Sequence, residues 1–225
     1  MDTAECYRTV RGRMGELAAT LGEEQADGPV PALPAWSVLD TYAHLAGLST
    51  AVADGVGTGP ATDGDTARQV ADRKGRGFTE VCAEWAGRAA EIDALISGPK
   101  GYRYNLLVQD AWNHEQDVLG ALGLPQARED ATTQAVALAL MDVYQRSWRK
   151  FEIGPAVRIA TSSGDWTIGV GEPVAMLETN DFDLVRMLIG RRTLDEMAAM
   201  GWTGDPGAAL DRLHFFTPPV RSLGE

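Results

Sequence analysis

YRYNLLVQDAWNHEQDVLGALG, residues Tyr102 to Gly123, is the stretch whose reading decides the fold. It places Asp110 four residues before His114, and Asp117 three residues after it. On a helix, positions three and four apart lie on one face. An imidazole and a carboxylate one turn apart can grip a single divalent cation. The chain has only three histidines, so each asks for an explanation. A second one, His44, lies in WSVLDTYAHLAG, which also reads as helix. Together these segments predict a helical bundle whose core holds a metal between His44, Asp110 and His114. The rest of the chain builds that bundle or closes over it.

Composition sets the outer limits. A chain of 225 residues allows one large domain or two modest ones, and 44% apolar residues suffice for a sizeable core. A net charge of −12 counts against nucleic acid or an anionic membrane as partner. Cys6 and Cys82 are too few for a disulfide framework and read as two buried thiols in a reducing compartment. The N-terminal run MDTAECYRTVRGRMGEL carries acids where a signal peptide is apolar. No stretch approaches the roughly 20 apolar residues of a membrane span. The expected location is therefore cytoplasmic.

Taken in order, Cys6, Val10, Met14, Leu17 and Leu21 fall three or four apart and predict an amphipathic helix over 3–21, ended by Gly22. Three prolines make 22–35 a loop. Ser37 opens the next helix. It forms a capping box with Asp40, and Trp36 is placed as a hydrophobic staple. Asp40 is one turn before His44, so it is also a candidate ligand or ligand partner, but the helix start needs it as a cap. Residues 54–64 (DGVGTGPATDG) read as a glycine-rich connection, and 65–96 as a long helical segment with Gly75 and Gly77 as a kink or a break. SGPKG at 97–101 turns the chain into the opening stretch, and Gly123 with the proline beyond it ends that helix. Four helices with short links to about residue 125 make a bundle.

Beyond residue 125 the pattern changes. A helix over 131–150 precedes two short apolar and β-branched stretches, AVRIATS and WTIGVGEPVAML, which read as strands. DFDLVRMLIGRR and TLDEMAAM read as helices capped by Asn180 or Asp181 and by Thr193, and GDPGAALDRLHFF as a last short helix. The expectation is a mainly α chain: a four-helix bundle over 1–125 and a small α+β domain over 126–225.

PALPAWSVLDTYAHLAG resembles the second-helix motif of the mycothiol-dependent maleylpyruvate isomerase family, a branch of the DinB-like metal-binding bundles. DAWNHEQDVLGALG resembles the same family's fourth-helix motif. ETNDFDLVRMLIGRR and the later GWTGDP are similar to its smaller C-terminal domain. The short motifs occur in the family's order over most of the chain. The resemblance implies metal ligation by His44, Asp110 and His114, with Asp110 standing where the family pattern has glutamate. It also implies mycothiol as a thiol cosubstrate.

Two histidines, one carboxylate and an open position suit a catalytic zinc site, with other divalent metals as alternatives. Such a site can bind a thiol as thiolate for attack on a small electrophile. Isomerisation of the maleylpyruvate type and thiol S-transfer use the same residues. A non-catalytic metal or small-molecule binder and a metal-dependent hydrolase are the alternative readings. Arg191, in the IGRR turn, and Arg103, about two turns before Asp110, are the candidate cations for an anionic substrate. Asp117 is either an acceptor behind a ligand imidazole or a surface acid. Glu115 reads as exposed, Trp112 as core, and His214 receives no role. A monomer or homodimer is expected.

Overall fold

The computed structural model describes residues 1–56 and 62–225. Two compact units divide the chain, Met1–Gln126 and Ala127–Glu225.

In the first unit, helix α1 (Thr3–Ala18) starts on Asp2, whose carboxylate accepts the Glu5 amide at 2.8 Å. It stops at Ala18, short of the expected Leu21, because the amides of Thr20 and Leu21 turn back to the carbonyls of Leu17 and Ala18 in a tighter coil. The stretch 22–35 is not all loop. One turn of helix, α2 (Glu23–Ala26), forms where the Gln25 side chain accepts the Gly22 amide at 3.1 Å. Helix α3 (Val38–Ala53) has the expected capping box: Ser37 Oγ accepts the Asp40 amide at 3.1 Å, and Asp40 Oδ2 accepts the Ser37 amide at 2.9 Å.

The expected long helix over 65–96 is three helices, α4 (Asp63–Ala71), α5 (Phe78–Gly87) and α6 (Ala89–Ser97). Gly75, at φ +84°, makes the first break. The second falls at Arg88, whose backbone (φ −90°, ψ 1°) leaves helical geometry and both ends α5 and starts α6. The connection expected over 54–64 lies in part outside the described residues. A tight turn then brings Gly101 onto the end of α6; a Cβ at 101 would stand 1.8 Å from the Ile96 carbonyl oxygen. The 3-10 turn Gly101–Tyr104 leads into α7 (Asn105–Ala121), and Gly123 at φ +65° closes it.

Helix α1 packs on α7, and α3 packs on α4 and α5. Between them Tyr7, Val10, Met14, Tyr42, Leu45, Trp85, Ile92 and Trp112 are buried. Each such side chain contributes about 1.5–3 kcal/mol through lost apolar surface. The buried hydroxyls are satisfied: Tyr42 donates to the Met14 carbonyl at 2.8 Å, and Tyr7 shares a bond with Ser49 at 3.1 Å. Among the described residues no helix is long and apolar enough to cross a membrane.

The second unit opens with α8 (Ala131–Lys150), capped by Asp130. A four-stranded sheet follows: β1 (Val157–Thr161), β2 (Gly164–Ile168), β3 (Ala175–Glu178) and β4 (Trp202–Gly204), in the order β2-β1-β3-β4. β1 runs antiparallel to β2 and parallel to β3, with Ile159 opposite Trp166 on one side and Leu177 on the other. β4 pairs antiparallel with β3 and falls on GWTGDP, where the sequence predicts no strand. Three residues are too few for a period-2 pattern, and β4 exists through its pairing with β3. Helix α9 (Asp181–Leu188) is capped by Asn180 and packs on α8. Helix α10 (Leu194–Ala198) has a Thr193–Glu196 capping box, and α11 (Gly207–Leu210) is shorter than GDPGAALDRLHFF predicts. Arg186, fully buried in α9, and Arg192 just beyond it both donate to the Glu225 side chain, at 2.8 Å and 2.7 Å.

Candidate metal centre

Helix α3 carries His44 and α7 carries Asp110 and His114, and the packing of the first unit brings the three together. One ligand atom from each lies within 4.8 Å of the other two. His44 Nε2 is 2.9 Å from Asp110 Oδ2, and His114 Nε2 is 3.5 Å from Asp110 Oδ1. Two donors on a tetrahedral metal with bonds near 2.0–2.1 Å stand roughly 3.4 Å apart, which the 3.5 Å spacing matches, while the 2.9 Å spacing is a hydrogen-bond distance that a cation would open by about 0.5 Å. Among the described residues no other group of three His, Cys, Asp or Glu side chains is so arranged.

Each imidazole has an oxygen atom behind it. His44 Nδ1 lies 2.8 Å from Gln69 Oε1 on α4, and His114 Nδ1 lies 3.3 Å from Asp117 Oδ2, one turn along α7. Asp117 is buried, which settles its place beside the imidazole rather than on the surface. With oxygen atoms behind both rings, the two Nε2 atoms are the ones that face the shared carboxylate. The Trp36 ring covers the pair, its centroid 5.2 Å from His44 and 5.9 Å from His114. The staple position thus also walls the site.

The electrostatics are those of a carboxylate between two imidazoles. Burial pushes the Asp110 carboxyl up, but His44 and His114 outweigh it and hold it well below the usual carboxylate range. Burial works against a charged His114; Asp110 and Asp117 reverse that and push it up to about 9. Both imidazoles are buried, while 32% of the Asp110 side chain meets solvent, so the cluster is reached from the Asp110 side. Two nitrogens and one carboxylate, approachable on one side, match the donor set of an open divalent metal site.

The other expected residues have the following settings within their own units. Asp40 is committed to the Ser37 cap. Arg103 is exposed on the 3-10 turn before α7. Arg191 belongs to the second unit, in the turn after α9, where its amide donates to the Arg186 carbonyl at 2.7 Å. His214, also in the second unit, is bonded through Nδ1 to the Phe216 carbonyl at 3.0 Å. Trp112 is core, as expected. Glu115 is not exposed: Arg13 of α1 grips both of its carboxylate oxygens at 2.6 Å and buries it. Gln69 escaped the sequence reading. Nothing local marks it, because its partner His44 is 25 positions earlier.

A family model described as the mycothiol maleylpyruvate isomerase N-terminal domain matches residues 7–143. No match was found among curated proteins. Two solved structures are similar in fold. The crystal structure of the mycothiol-dependent maleylpyruvate isomerase matches with a TM-score of 0.58 and 13% identity, over 96% of this chain and 95% of that one. That of a histidine-to-alanine mutant of the mycothiol-dependent maleylpyruvate isomerase matches with a TM-score of 0.59 and 11% identity, over 84% of this chain and 88% of that one. The fold likeness extends over the helical bundle and the small α+β unit, and the sequence match spans more than half of the chain. The chain belongs to the mycothiol maleylpyruvate isomerase N-terminal domain family.

Proposed function

We propose that this protein is a metal-dependent enzyme that uses the thiol of mycothiol on a small electrophile, as an isomerase of the maleylpyruvate type or as a thiol S-transferase. The observation that supports it is the His44–Asp110–His114 cluster, two imidazoles and a carboxylate within reach of one cation, in a chain of this family. Zinc is the metal the donor set suits best.

A free thiol has a pKa near 8.5 and is largely protonated at neutral pH. A bound divalent cation would supply the positive charge that favours its thiolate form. The chain's own residues hold and shape the site. His44 and His114 present Nε2, and Asp110 adds the negative charge that a dication needs for tight binding. Asp117 orients His114 through Nδ1. Trp36 covers the two rings and restricts approach to the Asp110 side. For an anionic electrophile, Arg103 and Arg191 are our candidates for the charge that receives the substrate.

The test is turnover of maleylpyruvate, followed as loss of the cis isomer, with and without mycothiol and in wild type beside His114→Ala. We expect thiol-dependent turnover in the wild type and at least about a 100-fold loss in the variant. A zinc-loaded wild type that converts neither maleylpyruvate nor any member of a panel of conjugated electrophiles, with mycothiol present, would remove the enzymatic reading. Arg103→Ala is expected to raise KM for an anionic substrate about tenfold, the worth of one charge-assisted hydrogen bond, with little change in kcat.

A further inference from the structure

Helix α4 docks in an unusual way. Its only buried residue is Gln69; Val70, the apolar residue next to it, is half-buried. A helix normally docks through an apolar stripe. Burying an amide instead costs free energy unless its polar atoms are paired. Gln69 is paired with His44 Nδ1 at 2.8 Å, and His44 is itself buried.

The approach of α4 is arranged for this contact. Gly47 lies three residues after His44 on the same face of α3. A Cβ at 47 would stand 2.7 Å from Gln69 Cβ and 2.7 Å from Arg73 Nη1. Gln69 Cβ moves only with its backbone, so any side chain at 47 pushes α4 away from His44. The same Arg73 Nη1 donates to the Gln69 carbonyl at 2.8 Å, and Arg73 Nε is held by Glu84 of α5 at 3.0 Å. The glutamine thus packs against the Gly47 clearance and is tied through its backbone to a buried arginine.

We propose that Gln69 is a positioning residue for His44. Its amide oxygen keeps the hydrogen on Nδ1, and so directs the Nε2 lone pair at the cation site; Gly47 is the clearance that permits it. The proposal rests on the metal reading above. It also separates the two ligand imidazoles: His44 is backed by a neutral amide on another helix, and His114 by a carboxylate on its own. Fixing the ring in this way typically changes metal affinity 10- to 100-fold. Through Gln69, the placement of α4 reaches the site.

The experiment is a zinc competition titration against a chromophoric chelator, with stoichiometry, on wild type, Gln69→Leu, Gln69→Glu and Gly47→Ala. Gln69→Leu should keep one site and weaken it about 10- to 100-fold. Gln69→Glu retains an oxygen acceptor and should bind at least as tightly as wild type. Gly47→Ala should weaken binding in the same direction as Gln69→Leu. A structural role alone predicts that all three variants lose thermal stability with zinc affinity unchanged, and that result overturns the proposal, as does equal loss in Gln69→Leu and Gln69→Glu. If Gln69→Leu does not fold, the Gln69→Glu and Gly47→Ala pair carries the test. Should wild type bind no zinc, the metal reading fails by itself. The 15N spectrum of the histidine side chains in metal-free protein then decides the positioning role. A His44 Nδ1–H protected from exchange in wild type but not in Gln69→Leu supports it, and equal exchange in both overturns it.

Discussion

Arg13 and Glu115 show what a single pair can do to a sequence reading. Glu115 directly follows His114, a candidate ligand, and lies on α7 where a charged residue reads as solvated. It is buried because α1 brings Arg13 against it, with both contacts at 2.6 Å. A charge-assisted bidentate pair with one buried partner stabilises by about 1.5–3 kcal/mol. Arg13→Met is therefore expected to lower the unfolding free energy by about 2 kcal/mol in urea denaturation, with the same slope. An unchanged midpoint would mean that the pair adds nothing. The candidate site divides in the same way. Asp110 and His114 are legible because they are one turn apart on one helix, and His44 because histidine is scarce in this chain. Gln69 and the Arg13–Glu115 pair are not legible, because their partners are 25 and 102 positions away and no local periodicity encodes them.

Elements were readable where the signal is local. The Ser37–Asp40 and Thr193–Glu196 boxes lie within one turn, and both caps form as their sequences predict. The segment 65–96 was harder. Its apolar spacing continues across Gly75 and Arg88, although the backbone does not. Glu84 ties α5 to α3 and to the turn after α4: it accepts from Thr50 of α3 at 2.8 Å and from Arg73 and Arg76 between α4 and α5. Burial pushes the Glu84 carboxyl up, but the hydrogen bonds from Arg73, Thr50 and Arg76 prevail and bring it down to about 2. A carboxyl lowered in the folded state stabilises the fold above its unfolded pKa. That stability is lost as the pH falls through about 4.5 towards about 2. Wild type should therefore exceed Glu84→Gln in stability at pH 7, and the difference should shrink steadily between about pH 5 and pH 2. A difference that does not vary with pH would show that the carboxylate charge is not what joins these helices.

At the scale of the whole molecule, a mainly helical bundle followed by a small α+β unit was legible, because helical periodicity and β-branched runs are properties of neighbouring residues. β4 and the short helix α2 depend on pairing or on a single turn, which a sequence pattern of that length cannot carry, whereas α11 is read at its place but shorter than expected. The second unit has its own lock, in which Arg186 and Arg192 share the Glu225 carboxylate, with side-chain exposures of 0%, 9% and 3%. Removing one partner of a buried pair costs about 3–5 kcal/mol. Glu225→Ala should thus lower the unfolding free energy of the second unit by about 3 kcal/mol while leaving the zinc affinity of the site proposed in the first unit unchanged. A shift of less than about 0.5 kcal/mol would make the pair dispensable.

The central claim is that His44, Asp110 and His114 form one divalent metal site. Metal content by mass spectrometry, on protein purified without an affinity tag, tests it most directly, with wild type beside His114→Ala. The account predicts about one equivalent of metal in the wild type and far less in the variant. No metal in the wild type, even after reconstitution with excess zinc, or equal content in both proteins, would contradict it.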